Sequence, residues 1–283
     1  MKPILFAICL LSPLLVHAAS AKKACPFQSS QLAFEGSAVE QASCLLRPVG
    51  ISAKVPTAPV SLPDGLAAIV GMKTDLSVDA VRAYLKTENV NENDVGGPLS
   101  GAVSHANAGQ SSAPMARYFV IHDTSTEISE ASFPDNNSKD INQLAKYIKP
   151  DSVAHVFVNR RGESMTGHDF KVPWRATKLE SKQLGTAAKG LFLHIELVQP
   201  RRTDKSKSSQ KFAVAPVPGF TDAQYRRLAL LFTIASVRAG TWLVPAYHAV
   251  LDVDLQGHDD PQHFDLQKFA TALGAVRGAI VAK

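Results

Sequence analysis

Leu191-Phe192-Leu193-His194-Ile195-Glu196-Leu197-Val198 reads as a buried strand, apolar throughout except for two residues spaced two apart. Successive strand residues point to opposite faces, so His194 and Glu196 share one side while Leu193, Ile195 and Leu197 take the other. An ionised carboxylate on such a strand costs several kcal/mol unless it is paired or set beside a cation, so Glu196 requires a partner.

Working outward, the same alternation predicts strands over Arg117–His122, Val153–Asn159 and Trp242–Tyr247. His122 then shares a face with Tyr118 and Val120, and His155 with Phe157. Helices are expected over Ser138–Ile148, Asp222–Ala239 and Leu266–Val276. In the second, Thr221 and Gln224 form a capping-box pair, Tyr225, Leu228, Phe232 and Ala235 make an apolar stripe, and Gly240 supplies the stop. In the third, Asp265 caps a face of Leu266, Phe269, Ala270 and Leu273. From Ala116 onward the chain therefore alternates strands and helices, the pattern of an α/β domain.

Upstream the signals weaken. Residues 22–112 are broken by Pro48, Pro56, Pro59, Pro63, Gly96, Gly97, Pro98 and Gly101, with one helix expected after a Ser77 cap. This region reads as an extension that packs on something else, ending in a Gly-, Ser- and Ala-rich linker over 99–114, with the main domain at 113–283. Residues 1–21 have the form of a secretory signal: Lys2, an apolar run from Ile4 to Val16, then small residues for cleavage after Ala18 or Ala21. The run is too short to be a permanent span, and no later segment approaches ~20 apolar residues, so export to the periplasm or the medium is expected.

Cys9 would leave with that signal, and Cys25 and Cys44 are expected to pair in an oxidising compartment. The chain is 45% hydrophobic and 19% charged, which favours a globular protein over a disordered one. Its net charge of +5 becomes +4 once Lys2 is lost, and mild basicity suits an anionic polymer. Much of the excess lies in Arg201, Arg202, Lys205, Lys207 and Lys211, which read as a solvated loop. No nucleic-acid motif is present.

Near the C-terminus, His248, His258, Asp259, Asp260 and His263 add further candidate metal ligands. A zinc hydrolase needs three such side chains and an open position for water, but no compact signature such as HExxH occurs, so spacing alone leaves the metal open.

Several of these segments resemble the type 2 N-acetylmuramoyl-L-alanine amidases, zinc enzymes that share the fold of peptidoglycan recognition proteins. Tyr118-Phe119-Val120-Ile121-His122-Asp123-Thr124-Ser125 is similar to the family's strand carrying the first zinc ligand. Val153 to Gly162 resembles the next strand and its polar turn, and Leu193 to Val198 the strand whose Glu assists catalysis. Thr221 to Leu231 resembles the long helix, and Asp260-Pro261 with Phe264-Asp265 the motif of the last ligand. These elements occur in family order over roughly residues 115–277.

The resemblance implies a mixed central β-sheet flanked by helices. It implies Zn2+ held by His122, His248 and Asp260, with Asp260 preferred to Asp259 because it precedes Pro261. Glu196 would be the proton acceptor and His258, which stands where the family often has Lys, would hydrogen-bond the oxyanion. Trp174 and Arg175 stand where many members read Trp-His and are expected in the cleft wall; His155 and His194 are expected to line the cleft or support the ligands. The implied reaction cleaves the amide between the lactyl group of N-acetylmuramic acid and L-alanine, with peptidoglycan or muropeptides as substrate. Two other readings are a non-catalytic peptidoglycan-binding protein of the same fold and a secreted amidase aimed at competitors' walls.

Overall fold

In the computed structural model the described residues are 24–51, 54–129, 132–203, 213–255 and 258–283; the expected signal and Lys205, Lys207 and Lys211 lie outside them. Among these residues the strands are β1 (Phe27–Gln28), β2 (Ala33–Phe34), β3 (Tyr118–Asp123), β4 (Thr126–Ile128), β5 (Val156–Val158), β6 (Ser164–Thr166), β7 (Phe192–Leu197), β8 (Pro200–Thr203), β9 (Ala213–Val214) and β10 (Val244–Tyr247). The helices are α1 (Ala38–Leu45), α2 (Asp64–Ala67), α3 (Val78–Thr87), α4 (Ala106–Gly109), α5 (Asp222–Ala239), α6 (His248–Leu251) and α7 (Leu266–Val281).

A mixed sheet of five strands in the order β10-β3-β7-β5-β6 forms the centre, parallel except for the β5–β6 pair. β3 and β7 are buried along their whole length, which is why both sequences are near-continuous apolar runs. Their register pairs Tyr118 with Phe192, Val120 with His194 and His122 with Glu196. One face thus grades from an aromatic floor to a polar end, while Phe119, Ile121, Leu193 and Ile195 form the other.

The apolar face meets α5, where Phe119 stands edge-on to Phe232 at 5.2 Å, and α7 packs behind it through Phe232 and Phe269. The 18-residue α5 starts on the Thr221–Gln224 capping box and stops at Gly240, which adopts the left-handed φ of 75° that a residue without Cβ tolerates. α7 begins on the Asp265 cap and runs five residues beyond the expected Val276, to Val281.

The opposite face is covered at its Tyr118 end by the N-terminal residues. α1 opens on a Ser37–Glu40 capping box, an S-x-x-E pattern that the sequence analysis missed. Tyr118 joins this layer to the sheet: its hydroxyl accepts from the Phe34 N–H at 2.8 Å and donates to Gln41 Oε1 at 3.0 Å. Its ring lies between Phe34 and Phe192. A disulfide joins Cys25 to Cys44 beside this layer.

Two expectations change. The linker expected over residues 99–114 is tied into the core over its first half, where Leu99, Val103 and Ala106 are buried in the same cluster as the sheet. The buried Arg238 of α5 draws this stretch in, donating to the carbonyls of Gly96, Gly101 and Ala102 and pairing with Asp169 at 2.8 Å. Gly96 is needed there because a Cβ would sit 2.3 Å from the Phe170 ring. Ser138–Ile148 is not a helix; only Leu144–Tyr147 makes a 3-10 turn. Asn142 bonds the carbonyls of Asn136 and Ser138 and accepts from the Arg160 N–H, giving the backbone local partners that compete with a helical ladder.

The fold yields two expectations. A fragment starting at residue 113 should aggregate or lack cooperative unfolding, since it exposes the face around Tyr118; gel filtration and circular dichroism would show this, and a soluble, cooperatively folded fragment would refute it. Replacing Cys25 and Cys44 together by serine should lower stability by about 3 kcal/mol in denaturant titrations, from the lost loop constraint.

Candidate metal centre

Parallel strands place their carboxyl ends on one edge of a sheet, where α/β proteins usually bind ligands. Here β3, β7 and β10 end side by side. His122 is the penultimate residue of β3, Glu196 is its register partner on β7, and His248 follows the last residue of β10 and starts α6. Asp260 arrives from the segment before α7, and its backbone carbonyl accepts from the Ala249 N–H at 2.9 Å. All four side chains are more than nine-tenths buried.

His122, His248 and Asp260 form a buried group that could hold a metal ion. Their facing atoms are 2.9 Å apart for the two histidine Nδ1 atoms, 3.0 Å for His248 Nδ1 and Asp260 Oδ2, and 3.8 Å for His122 Nδ1 and Asp260 Oδ2. The edges of a tetrahedral zinc site with bonds of 2.0–2.1 Å are roughly 3.3 Å, so the three spacings bracket that geometry. Asp259 instead turns toward Arg201, at 3.3 Å. A second group, His248, Asp252 and His258, shares His248 with the first.

Each of the three is held from behind. His248 Nε2 meets Asp252 Oδ2 at 3.1 Å, and Asp252 is anchored by the N–H groups of Lys178 and Leu179. His122 Nε2 lies 3.0 Å from His194 Nδ1. Asp260 Oδ2 accepts from the Asp123 N–H at 3.3 Å, and the Asp123 carboxylate pairs with Arg201 at 2.6 Å. Arg201 is therefore a buried ion-pair residue on β8 rather than part of a solvated loop.

The group opens into a cleft of about 360 Å³. Trp174, Arg175, Asp151 and Val153 line its wall, with Glu196 and His258 facing the same space. His258 stacks on His248 at 3.9 Å between ring centres and keeps 43% of its side chain exposed. His155 and His194 do not line the cleft. Both are fully buried behind His122, their rings stacked at 5.7 Å, because Phe170 and Glu180 close over them.

The electrostatics are those of a site short of positive charge. Burial pushes the Glu196 carboxyl well above its ordinary range, and Asp260 and Asp123 push it the same way. Its Oε2 is buried with no hydrogen-bond partner, an orphan that a cation beside it would satisfy. Burial also raises Asp123, to about 6, with Arg201 opposing and Asp260 adding to the rise. Burial alone would raise Asp260, yet the charge of His248 and its hydrogen bond hold that carboxyl below the usual value.

Burial holds His122 well below a free histidine, reinforced by His248 and His194, so its ring is neutral and its nitrogen free to bind. His248 goes the other way. Burial opposes its charge, but Asp260 and Asp252 outweigh it and raise the group to about 10. Burial and the charge of His248 lower His258, leaving it a neutral imidazole near pH 7 with one N–H to donate.

Asp252, Asp123 and Arg201 were not identified from the sequence as parts of the site. Asp252 had a signal, since it falls four residues after His248 and such pairs meet on a helical turn. For the others, only the tertiary structure brings the pair together.

No family model and no curated protein matches the chain. Among solved structures, the Ph2119 endolysin from the Thermus scotoductus MAT2119 bacteriophage Ph2119 aligns at 15% identity with a TM-score of 0.35, covering 56% of this chain and 85% of that one.

At neutral pH the metal-free protein carries a proton on His248 that a metal at Nδ1 must displace. Proton release couples metal affinity to pH, so zinc affinity should rise about tenfold per unit between pH 6 and 8. Calorimetric titration in buffers of different ionisation enthalpy should count at least one proton released. An affinity flat across that range would contradict the assignment.

Proposed function

We propose that the protein is an exported, zinc-dependent N-acetylmuramoyl-L-alanine amidase. The observation that carries this reading is the convergence of His122, His248 and Asp260 at the mouth of one cleft, with the Glu196 carboxyl beside His122. The family resemblance of the segments that supply these residues supports the same reaction. The signal-like residues 1–21 support export, and residues 22–112 would serve as an extension covering the domain at 113–283. Peptidoglycan or released muropeptides would be the substrate, and the cleft wall of Trp174 and Arg175 would flank it.

His122, His248 and Asp260 would hold the metal, whose orphaned neighbour Glu196 and paired imidazole nitrogens fit a divalent cation. When bound, zinc supplies a Lewis acid that polarises the scissile carbonyl and lowers the pKa of water. Glu196 would take the proton of the attacking water and return it to the departing L-alanine amine. His258 would donate its N–H to the developing oxyanion from the exposed side of the cleft. Asp252 would keep the proton on Nε2 of His248, directing Nδ1 toward the ion.

Dye release from labelled cell wall, with free amines assayed alongside, tests the proposal. His122→Ala should abolish both zinc retention and release. Glu196→Gln should keep the zinc and lose about 10²–10⁴ in rate. Wall lysis that yields reducing sugars rather than L-alanine amines, or release indifferent to His122→Ala, would overturn the reading. Binding to the wall with no release by the zinc-loaded protein would favour a non-catalytic peptidoglycan binder.

A further inference from the structure

Behind His122 runs a line of buried side chains that the proposed reaction does not use. His122 Nε2 is 3.0 Å from His194 Nδ1, and His194 Nε2 is 3.2 Å from Glu180 Oε2. The last contact is an ion-pair distance set off the line of a good hydrogen bond, since Nε2 lacks a well-aligned acceptor. His194 and Glu180 are wholly inaccessible to solvent. Glu180 sits in a π-helical segment, Leu179–Leu184, with its carboxylate turned back into the protein.

The proton positions along this line follow from one end. Glu180 Oε2 already accepts from the N–H groups of Ala176 and Thr177 and from the Thr177 hydroxyl, so it faces His194 Nε2 as an acceptor although the two are not aligned as a hydrogen bond. A bare Nε2 would set its lone pair against that oxygen at 3.2 Å, so the His194 hydrogen belongs on Nε2 and Nδ1 is left bare. That atom in turn requires the hydrogen of His122 on Nε2, which leaves Nδ1 of His122 bare and facing His248 and Asp260. The backbone keeps the His194 ring region in place: the His194 N–H donates to His155 Nδ1 at 3.0 Å, and His155 Nε2 donates to the Val172 carbonyl at 3.1 Å.

We infer that His194 and Glu180 are positioning residues for the metal centre, locking His122 in the tautomer that offers Nδ1 to the ion. The inference deepens the proposed function and rests on it. A buried carboxylate that does not itself line the cleft dictates through one histidine which nitrogen of the next histidine is free. Outer partners of this kind usually act through a single hydrogen bond to a carboxylate or carbonyl. Here a second imidazole extends the line by one ring.

The test uses the full-length protein and zinc ion alone. His194→Phe removes the acceptor for the His122 Nε2–H and should weaken zinc binding about 10–100-fold in competition with a chromophoric chelator. His194→Gln should restore affinity to within a few-fold, because its carbonyl can accept from His122 while its amide donates to Glu180. Nitrogen-15 spectra of the metal-free protein should show His122 as the Nε2–H tautomer in the wild type and His194→Gln, and as a mixture in His194→Phe. If the phenyl ring prevents folding, Glu180→Met, which releases the His194 tautomer, should give the same mixed spectrum. A folded His194→Phe that binds zinc like the wild type, or equal losses with Phe and Gln, would overturn the inference. A wild-type protein that binds zinc but does not cleave cell wall would instead refute the amidase reading and leave this one standing.

Discussion

The parallel register of three neighbouring strands is the constraint on which the site depends. Because β3 and β7 pair His122 with Glu196, and β10 ends where His248 begins, three functional side chains meet with no loop having to reach across the molecule. A slip of one residue between β3 and β7 would turn His194 and Glu196 toward the α5 face. The aromatic floor of Tyr118 and Phe192, stacked at 4.9 Å, resists such a slip from the opposite end of the same strands.

That geometry creates an electrostatic problem. Asp123, Glu196, Asp252 and Asp260 converge within one buried region, and Arg201 is the guanidinium that pairs directly with one of them. The metal-free protein settles the imbalance by keeping a proton on His248 and raising the Glu196 carboxyl. A divalent cation among His122, His248 and Asp260 would settle it differently, and would leave Glu196 free to act as a base. The same charges would thus serve to bind the ion and to set the protonation of the group beside it.

The N-terminal residues contribute to this arrangement from below. Phe34 and Gln41 hold the Tyr118 hydroxyl, α1 lies against β10, and Arg238 gathers the glycine-rich stretch into the core. Further along the same face, Phe170, Val172 and Glu180 close over His155 and His194, so both sit in a dry interior rather than in the cleft. Away from water, the 3.0 Å contact between the His122 and His194 rings is electrostatically stronger than it would be in solvent.

Period-two alternation made β3 and β7 legible, and with them the face shared by His194 and Glu196; capping residues made α5 and the start of α7 legible. These are local properties, set by neighbours within a few residues. The candidate ligand set was reached through motif resemblance, not through spacing, because His122 and His248 are 126 residues apart and nothing local links them. Asn142 hid from a periodicity reading because its side chain competes with the helix it appeared to belong to. The burial of Arg201, the role of the glycines near Arg238 and the line from Glu180 to His122 were decided only by the tertiary structure. Each depends on which distant backbone or carboxylate the fold brings within hydrogen-bond reach, and a one-dimensional pattern carries no record of that.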